Sequence, residues 1–346
     1  MAKSSDSRLH GALMYLKRFF YLAYYFRHMN WGLLRRFMRA TREQHKLGYI
    51  RQVLHWLLDS IRYNISPLEW YQFGFVSLTA DEKSTWAGTG TMYEFQREAN
   101  PREQREILND KRAFYRAYRE FCGRGLWSVA ELQEDPVLVQ KVLAEHEKLV
   151  FKDATGNCGT SVRIVPTADL NAETLTRWMK NNGYDMVESF IQQHPELQAL
   201  SPSGVNTVRI FTLIDEQGAY QVLGCRLRIS VDSPVDNLAA GNLAAPIDEK
   251  TGVVNGPGVY SDITRKPETE HPVTGVSIVG FQVPFWRETL EMVEKACRLH
   301  VQNRSIGWDV AIMAEGPRLI EGNHDWCKLV WQLPVGRGLK AMLRTA

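Results

Sequence analysis

The spacing of apolar residues changes near residue 149, and that change limits the folds open to this chain. Before it, Leu9, Leu13, Leu16, Phe20, Ala23 and Phe26 recur three and four apart with Arg and Lys between them, which predicts helix across 8–64. Gly32 and the Ser66-Pro67 pair punctuate this region, while Gly74, Gly88 and Gly90 leave 68–100 without a sustained period. A second helical run is expected from Asn109. Asp110 is its N-cap, Phe114, Tyr115, Tyr118 and Phe121 form its apolar stripe, and Gly123 and Gly125 end it.

After Leu149 the texture is that of strands and turns. Leu149–Phe151 and Val162–Val165 flank the loop 153–161 as one hairpin. A helix at about 172–182 and a short strand over Asp185–Phe190 follow. Asn206–Ile214 and Tyr220–Ile229 form a second hairpin around Asp215-Glu216-Gln217-Gly218. Residues 231–280 are polar and rich in Gly and Pro, so they carry no assigned element. An amphipathic helix over Phe285–Asn303 precedes two closing strands, Trp308–Met313 and Arg318–Glu321, joined by Glu315-Gly316-Pro317. The expected class is α+β, with a helical region over 1–100 and an α+β body over 101–346.

Charge divides the chain the same way. Residues 1–64 hold 12 Lys/Arg against 3 Asp/Glu, and 12 of the 37 aromatic residues; residues 65–346 hold 30 Lys/Arg against 36 Asp/Glu. The uncharged runs Leu9–Leu16 and Phe19–Phe26 are far shorter than the ~20 residues of a membrane span, and Lys17, Arg18 and Arg27 interrupt any signal-peptide core. Five scattered cysteines without CxxC spacing argue against a disulfide framework or zinc site and for a reducing, cytosolic setting. The basic, aromatic N-terminus suits either a packed helical domain with its arginines in water or peripheral contact with an anionic membrane at the inner face. No nucleic-acid motif accompanies it, so no nucleic-acid partner is expected.

Three groups of residues suit anion and metal chemistry. Lys152 at a strand end precedes Gly156 and Gly159, a pattern that can cradle phosphate oxygens, although an ordinary hairpin turn has the same composition. Asp309 and Glu321 stand on adjacent predicted strands with Asn323 two residues on; two carboxylates and an amide oxygen suit Mg²⁺, and plain solvation is the alternative. Arg209, Arg226 and Arg228 are spaced to project from paired strands, where they could bind an anion or form cross-strand pairs.

The strings "NDKRAFY", "LVFKDATGNCGTSV", "MVESFIQQHPEL", "SGVNTVRIFTL", "VDNLAAGNLAAPIDEKTG" and "GWDVAIMAEGPRLIEGNHDW" occur in this order from about Lys111 to Lys328. Together they resemble the ATP-grasp superfamily, and within it the sugar-transfer associated ATP-grasp family, related to α-L-glutamate ligases. The resemblance implies an ATP-grasp fold of two subdomains with nucleotide between them. It implies that Lys111 and Lys152 bind the nucleotide and that the loop containing Gly156, Gly159, Thr160 and Ser161 covers the phosphates. Glu188, with the backbone of Phe190 and Ile191, would read adenine, and Gln193 or His194 would reach the ribose or begin a helix. Asp309, Glu321 and Asn323 match the magnesium ligands, and Arg209 and Arg228 match positions that hold the reacting phosphoryl group or carboxylate. Asn237 and Asn242 fall in a substrate-side loop, where Ala240-Gly241-Asn242 departs from the paired glycines frequent in relatives. The implied activity is ATP- and Mg²⁺-dependent joining of a carboxylate and an amine, on a substrate that could be sugar-linked. Phosphotransfer on the same fold, or membrane binding alone, are the alternatives.

Overall fold

The computed structural model of the chain describes residues 17–154 and 162–343. It divides into two compact units. One takes the chain up to Ala99 with Val259–Pro267 and the segment from Cys327; the other takes Asn100–Gly258 and Glu268–Trp326.

The first unit is helical. Helices over 17–27, Trp31–His45 and Tyr49–Tyr63 occupy the stretch read from sequence as helix across 8–64; residues 1–16 lie outside the described residues. The first break falls at Asn30, whose side chain accepts from Leu33 N at 3.0 Å, so Gly32 sits inside a helical turn rather than between helices. Residues 68–100, which carry no sustained period, are helical as well: Pro67–Gln72, Ala80–Ser84 and Thr89–Ala99. Capping starts two of these. Ser66 and Glu69, then Thr79 and Glu82, form reciprocal capping boxes, which nucleate turns too short to show a period. Many aromatics of the basic segment are core. Phe37, Trp56 and Tyr63 pack with Trp70, Tyr71, Phe73, Phe75 and Trp86.

Glu69 anchors this unit. Its buried carboxylate accepts from Ser66 N at 2.7 Å, Thr89 N at 3.0 Å, Thr89 Oγ1 at 2.6 Å and Lys328 Nζ at 2.7 Å. Glu69→Gln would leave the Lys328 ammonium without its counter-charge, so urea unfolding should register a loss of about 3–5 kcal/mol. An unchanged midpoint would contradict this assignment.

The second unit is α+β with two antiparallel sheets. The smaller contains β1 (Leu126–Ser128), β2 (Lys148–Lys152), β3 (Arg163–Pro166) and β4 (Met186–Ser189), in the order β1-β4-β2-β3. The larger contains β5 (Thr207–Ile214), β6 (Tyr220–Ile229), β7 (Leu243–Ile247), β8 (Ser305–Met313) and β9 (Gly316–Asn323), in the order β7-β6-β5-β8-β9. All three expected hairpins, β2–β3, β5–β6 and β8–β9, pair antiparallel. Several features differ from the sequence reading: β1 and the helices Val129–Glu134 and Pro136–Glu145 fall where no element is assigned from sequence, and the helical run from Asn109 breaks at Tyr118. β7 lies inside the polar stretch 231–280, and the helix expected over Phe285–Asn303 runs only from Trp286 to Cys297. Every residue of β5 is buried, its polar members included. Among the described residues, no helix is long and apolar enough to cross a membrane.

Candidate active site

Two charged clusters in the second unit face the same strand, β9. The first grows from β2 and β4, which pair so that Val150 lies opposite Glu188 and Lys152 sits diagonal to it. Lys152 Nζ donates to Glu188 Oε2 at 2.5 Å, and Arg124 Nη2 donates to Glu188 Oε1 at 3.1 Å. The same Arg124 guanidinium reaches the other sheet, donating to the carbonyls of Leu319 at 2.6 Å and Ile320 at 2.9 Å on β9. Nearby, Lys111 begins the helix Lys111–Ala117 beneath its Asp110 cap, and its backbone N donates to the Ala154 carbonyl at 3.1 Å. Its Nζ lies 3.4 Å from the same oxygen. Lys111 therefore stands where the loop after Lys152 begins.

The second cluster is built on β5, β6, β8 and β9. The register sets Arg209 opposite Asp309, and Asp309 opposite Glu321, with an irregularity just after Asp309. Arg209 donates through Nε to Asp309 Oδ1 and through Nη2 to Oδ2, the latter at 2.8 Å. Arg228 Nη1 also donates to Oδ2 at 2.8 Å, while its Nη2 pairs with Asp236 at 2.6 Å. Asp236 in turn accepts from the backbone N of Thr207 at 2.9 Å and from its hydroxyl. Arg226, opposite Arg209 on β6, donates to the Cys225 carbonyl at 2.6 Å. Asn323 Nδ2 lies 3.3 Å from Glu321 Oε1 and 3.4 Å from the Gly307 carbonyl, which leaves its Oδ1 as the atom able to ligate.

The electrostatics follow from these contacts. Burial opposes ionisation of Glu188, but Arg124 and Lys152 outweigh it and hold the carboxyl at about 2. Burial also opposes ionisation of Asp309, and there Arg209 and Arg228 prevail, keeping it well below the usual range. Glu321 goes the other way. Its own burial and the Asp309 charge push its pKa up, against the pull of Arg209 and Lys111. Asp236 is likewise raised by burial, with Arg228 opposing. A hard divalent cation would relieve the repulsion between Asp309 and Glu321, and the donors available, two carboxylates and an amide oxygen, have the right chemistry for it. Among the described residues no group of three His, Cys, Asp or Glu could hold a metal, so the third protein ligand would be Asn323.

The remaining expected residues have these contacts within the fold. Glu188 faces Lys152 and Arg124 with both carboxylate oxygens. Gln193 uses its whole amide inside the fold. Its Nε2 donates to Gln198, Ser201 and Gly204, and its Oε1 accepts twice from Asn206. His194 caps the helix Pro195–Leu200 by accepting from Glu196 N at 3.3 Å. Phe190 is exposed on the segment after β4, beneath the ammonium of Lys148. Asn237 accepts from Ala239 N at 3.0 Å, and Asn242 ties the same loop together through Val231, Val235 and Asn237. Gly156, Gly159, Thr160 and Ser161 lie outside the described residues. Arg124 and Asp236 were not anticipated. The only local signal for Arg124 is a charged residue held between Gly123 and Gly125, and for Asp236 its position beside Asn237.

Because folding depresses the Glu188 pKa from its ordinary value near 4.5 to about 2, its contribution is complete above the ordinary value and fades as pH falls towards 2. Glu188→Gln should therefore be less stable than the parent at pH 7, by about 3 kcal/mol. Unfolding midpoints measured from pH 7 down to 2.5 should show that gap closing; a constant gap would contradict the ion-pair account.

A family profile described as sugar-transfer associated ATP-grasp matches residues 91–346. Similar solved structures include the biotin carboxylase domain dimer of the Hydrogenobacter thermophilus 2-oxoglutarate carboxylase, in complex with MgADP, ADP and bicarbonate. That chain is 15% identical, with 67% of this chain and 46% of that one covered and a TM-score of 0.40. The D-alanine–D-alanine ligase from Coxiella burnetii is 12% identical, with 63% and 48% covered and a TM-score of 0.34. A RimK domain ATP-grasp protein from Sphaerobacter thermophilus DSM 20745 is 13% identical, with 70% and 68% covered and a TM-score of 0.38. The chain spans about half the length of the first two. No curated protein matches the sequence. The matched region takes in both sheets and every residue of the two charged clusters, and the chain belongs to the sugar-transfer associated ATP-grasp family.

Proposed function

We propose that this chain is an ATP- and Mg²⁺-dependent carboxylate–amine ligase that works through an acyl phosphate, on a sugar-, polysaccharide- or amino-acid-linked substrate. The observation that carries this reading is the pairing of Asp309 with Glu321 beside Asn323, joined through β9 and Arg124 to the Lys152–Glu188 pair. One cluster has surplus positive charge for phosphates, and the other sets two carboxylates and an amide oxygen together for a cation.

A carboxylate is a poor acceptor for an amine, because oxide would have to leave. In the proposed reaction a substrate carboxylate oxygen attacks the γ-phosphorus of ATP, the bond to the β–γ bridging oxygen breaks, and ADP departs. The amine then attacks the carbonyl carbon, inorganic phosphate leaves, and the amine proton passes to solvent. Little of this needs a protein nucleophile; positioning and charge neutralisation carry it. Two buried thiols agree with that division of labour, since burial pushes Cys122 up to about 11 and Cys297 up to about 12.

Bound at Asp309, Glu321 and Asn323, Mg²⁺ supplies neutralisation of the phosphoryl charge. Lys111 and Lys152 draw the phosphate oxygens, and Glu188 keeps Lys152 aimed. The backbone of Phe190 and Ile191 offers the edge along which adenine is read. Arg209 uses Nε and Nη2 on Asp309, so its Nη1 is the arm left for the reacting anion; Arg228 divides its guanidinium between Asp309 and Asp236. Asn237 and Asn242 shape the loop on the substrate side.

The test is a library of carboxylates and amines incubated with Mg-ATP, with hydroxylamine as a trap. ADP release and hydroxamate formation are expected, and Asp309→Asn or Glu321→Gln should each lower the rate by about 100-fold or more. A stable phosphorylated hydroxyl product would move the chain to phosphotransfer. ADP release that ignores both substitutions would overturn the reading.

A further inference from the structure

The first unit presents a surface that its own fold does not use. Ile50, Leu54 and Leu58 recur every four residues on the helix Tyr49–Tyr63, within about 80° of arc. They are 79%, 54% and 67% exposed. The core-facing side of the same helix is a different one, made by Gln52, Trp56, Ser60 and Tyr63. Single exposed leucines are ordinary, but a row of three on one helix face, opposite an occupied core face, is not.

Positive charge borders this row. Arg51 and Arg62 lie on its flank by helical geometry. On the preceding helix, Trp31–His45, Arg35, Arg39 and Arg42 fall within about 60° of arc, and all three are exposed. At the turn between the helices the Arg42 guanidinium lies 4.8 Å above the exposed ring of Tyr49. Of the two acidic residues in these helices, Asp59 is engaged by Lys83 at 2.7 Å and Trp70 Nε1 at 2.9 Å, leaving Glu43; from outside them, Asp262 pairs with Arg36 at 2.6 Å. More exposed rings follow on the helix over 17–27, where Phe19, Phe20 and Tyr24 stand beside Lys17 and Arg27.

We propose that this face lies in the headgroup region of an anionic lipid bilayer, with Ile50, Leu54 and Leu58 entering the acyl boundary and Arg35, Arg39 and Arg51 meeting lipid phosphates. Each part of the surface then has a partner: the aliphatic row leaves water, and the arginines gain anions. The other occupants fit less of it. Nucleic acid would engage the arginines and leave the aliphatic row in water, while a second copy of this chain would set one basic row against another. The proposal concerns the first unit alone and does not depend on the ligase reading.

Sedimentation of the full chain with vesicles tests it, using phosphatidylcholine alone and phosphatidylcholine with about 30% phosphatidylglycerol, at about 0.05 M and about 0.5 M salt. The parent should bind the anionic vesicles and not the neutral ones, more weakly at high salt. Arg35→Gln/Arg39→Gln/Arg51→Gln should lower the partition coefficient by at least about tenfold. Leu54→Ser/Leu58→Ser should lower it comparably, with the helical circular dichroism of both variants unchanged because the altered side chains are exposed. Three results would overturn the proposal: no sedimentation with either vesicle, equal sedimentation with both, or binding by Leu54→Ser/Leu58→Ser equal to the parent's. Dimerisation abolished by the leucine variant, without vesicle binding, would reassign the face to self-association.

Discussion

A carboxylate buried inside a sheet keeps its charge only if cations reach it, and Asp309 on β8 imposes that demand on β5 and β6. It is almost excluded from water on β8, where an unpaired ion would cost several kcal/mol. Arg209 answers from β5, directly opposite, and Arg228 from β6, the next strand over. Arg228 carries a second demand, met by Asp236, whose other oxygen is fixed by Thr207. A one-residue slip of β5 against β8 would turn Arg209 to the other face and strand the acid. The ion network and the strand register therefore specify each other. The price is a site whose arginines are largely committed before any substrate arrives.

That commitment refines the chemistry. With Asp309 held ionised and Glu321 pushed toward its protonated form by the same neighbour, the pair is unequal until a cation enters. Arg124 then matters because it is common to both halves: one guanidinium holds Glu188 of the small sheet and two carbonyls of β9, immediately before Glu321. Lys152, Glu188, Arg124 and β9 form one continuous chain of charged and polar contacts, so a shift of Lys152 and a shift of β9 are mechanically coupled.

Much of this was legible in the sequence wherever the signal was local. The β5–β6 hairpin announced itself through Asp215-Glu216-Gln217-Gly218, and Asp110 through its cap position; both stand as read. The juxtaposition of Asp309 and Glu321 followed from a tight turn between two short strands. What escaped lacked a period or acted at a distance. Pro67–Gln72 and Ala80–Ser84 are too short to show an amphipathic repeat, although Ser66/Glu69 and Thr79/Glu82 mark their starts. β7 is five residues with a proline among them, set in a polar stretch. Arg124 and Asp236 owe their importance to partners up to 196 residues away, and nothing beside them in the chain records those contacts. The basic, aromatic N-terminus was read as one segment, but its rings divide, with Phe37 and Trp56 in the core and Phe19, Phe20 and Tyr49 in solvent.

The central claim is that Asp309, Glu321 and Asn323 form a divalent-cation site serving a nucleotide held by Lys111 and Lys152. Paramagnetic Mn²⁺ tests it directly, by electron paramagnetic resonance titration of the full chain with ADP, comparing the parent with Glu321→Gln and Asn323→Ala. The account predicts that the parent immobilises one Mn²⁺ per chain in the presence of ADP, that each variant weakens this by at least about tenfold, and that metal-free ADP binding survives in both. Mn²⁺ binding that is equal in the parent and both variants would contradict it.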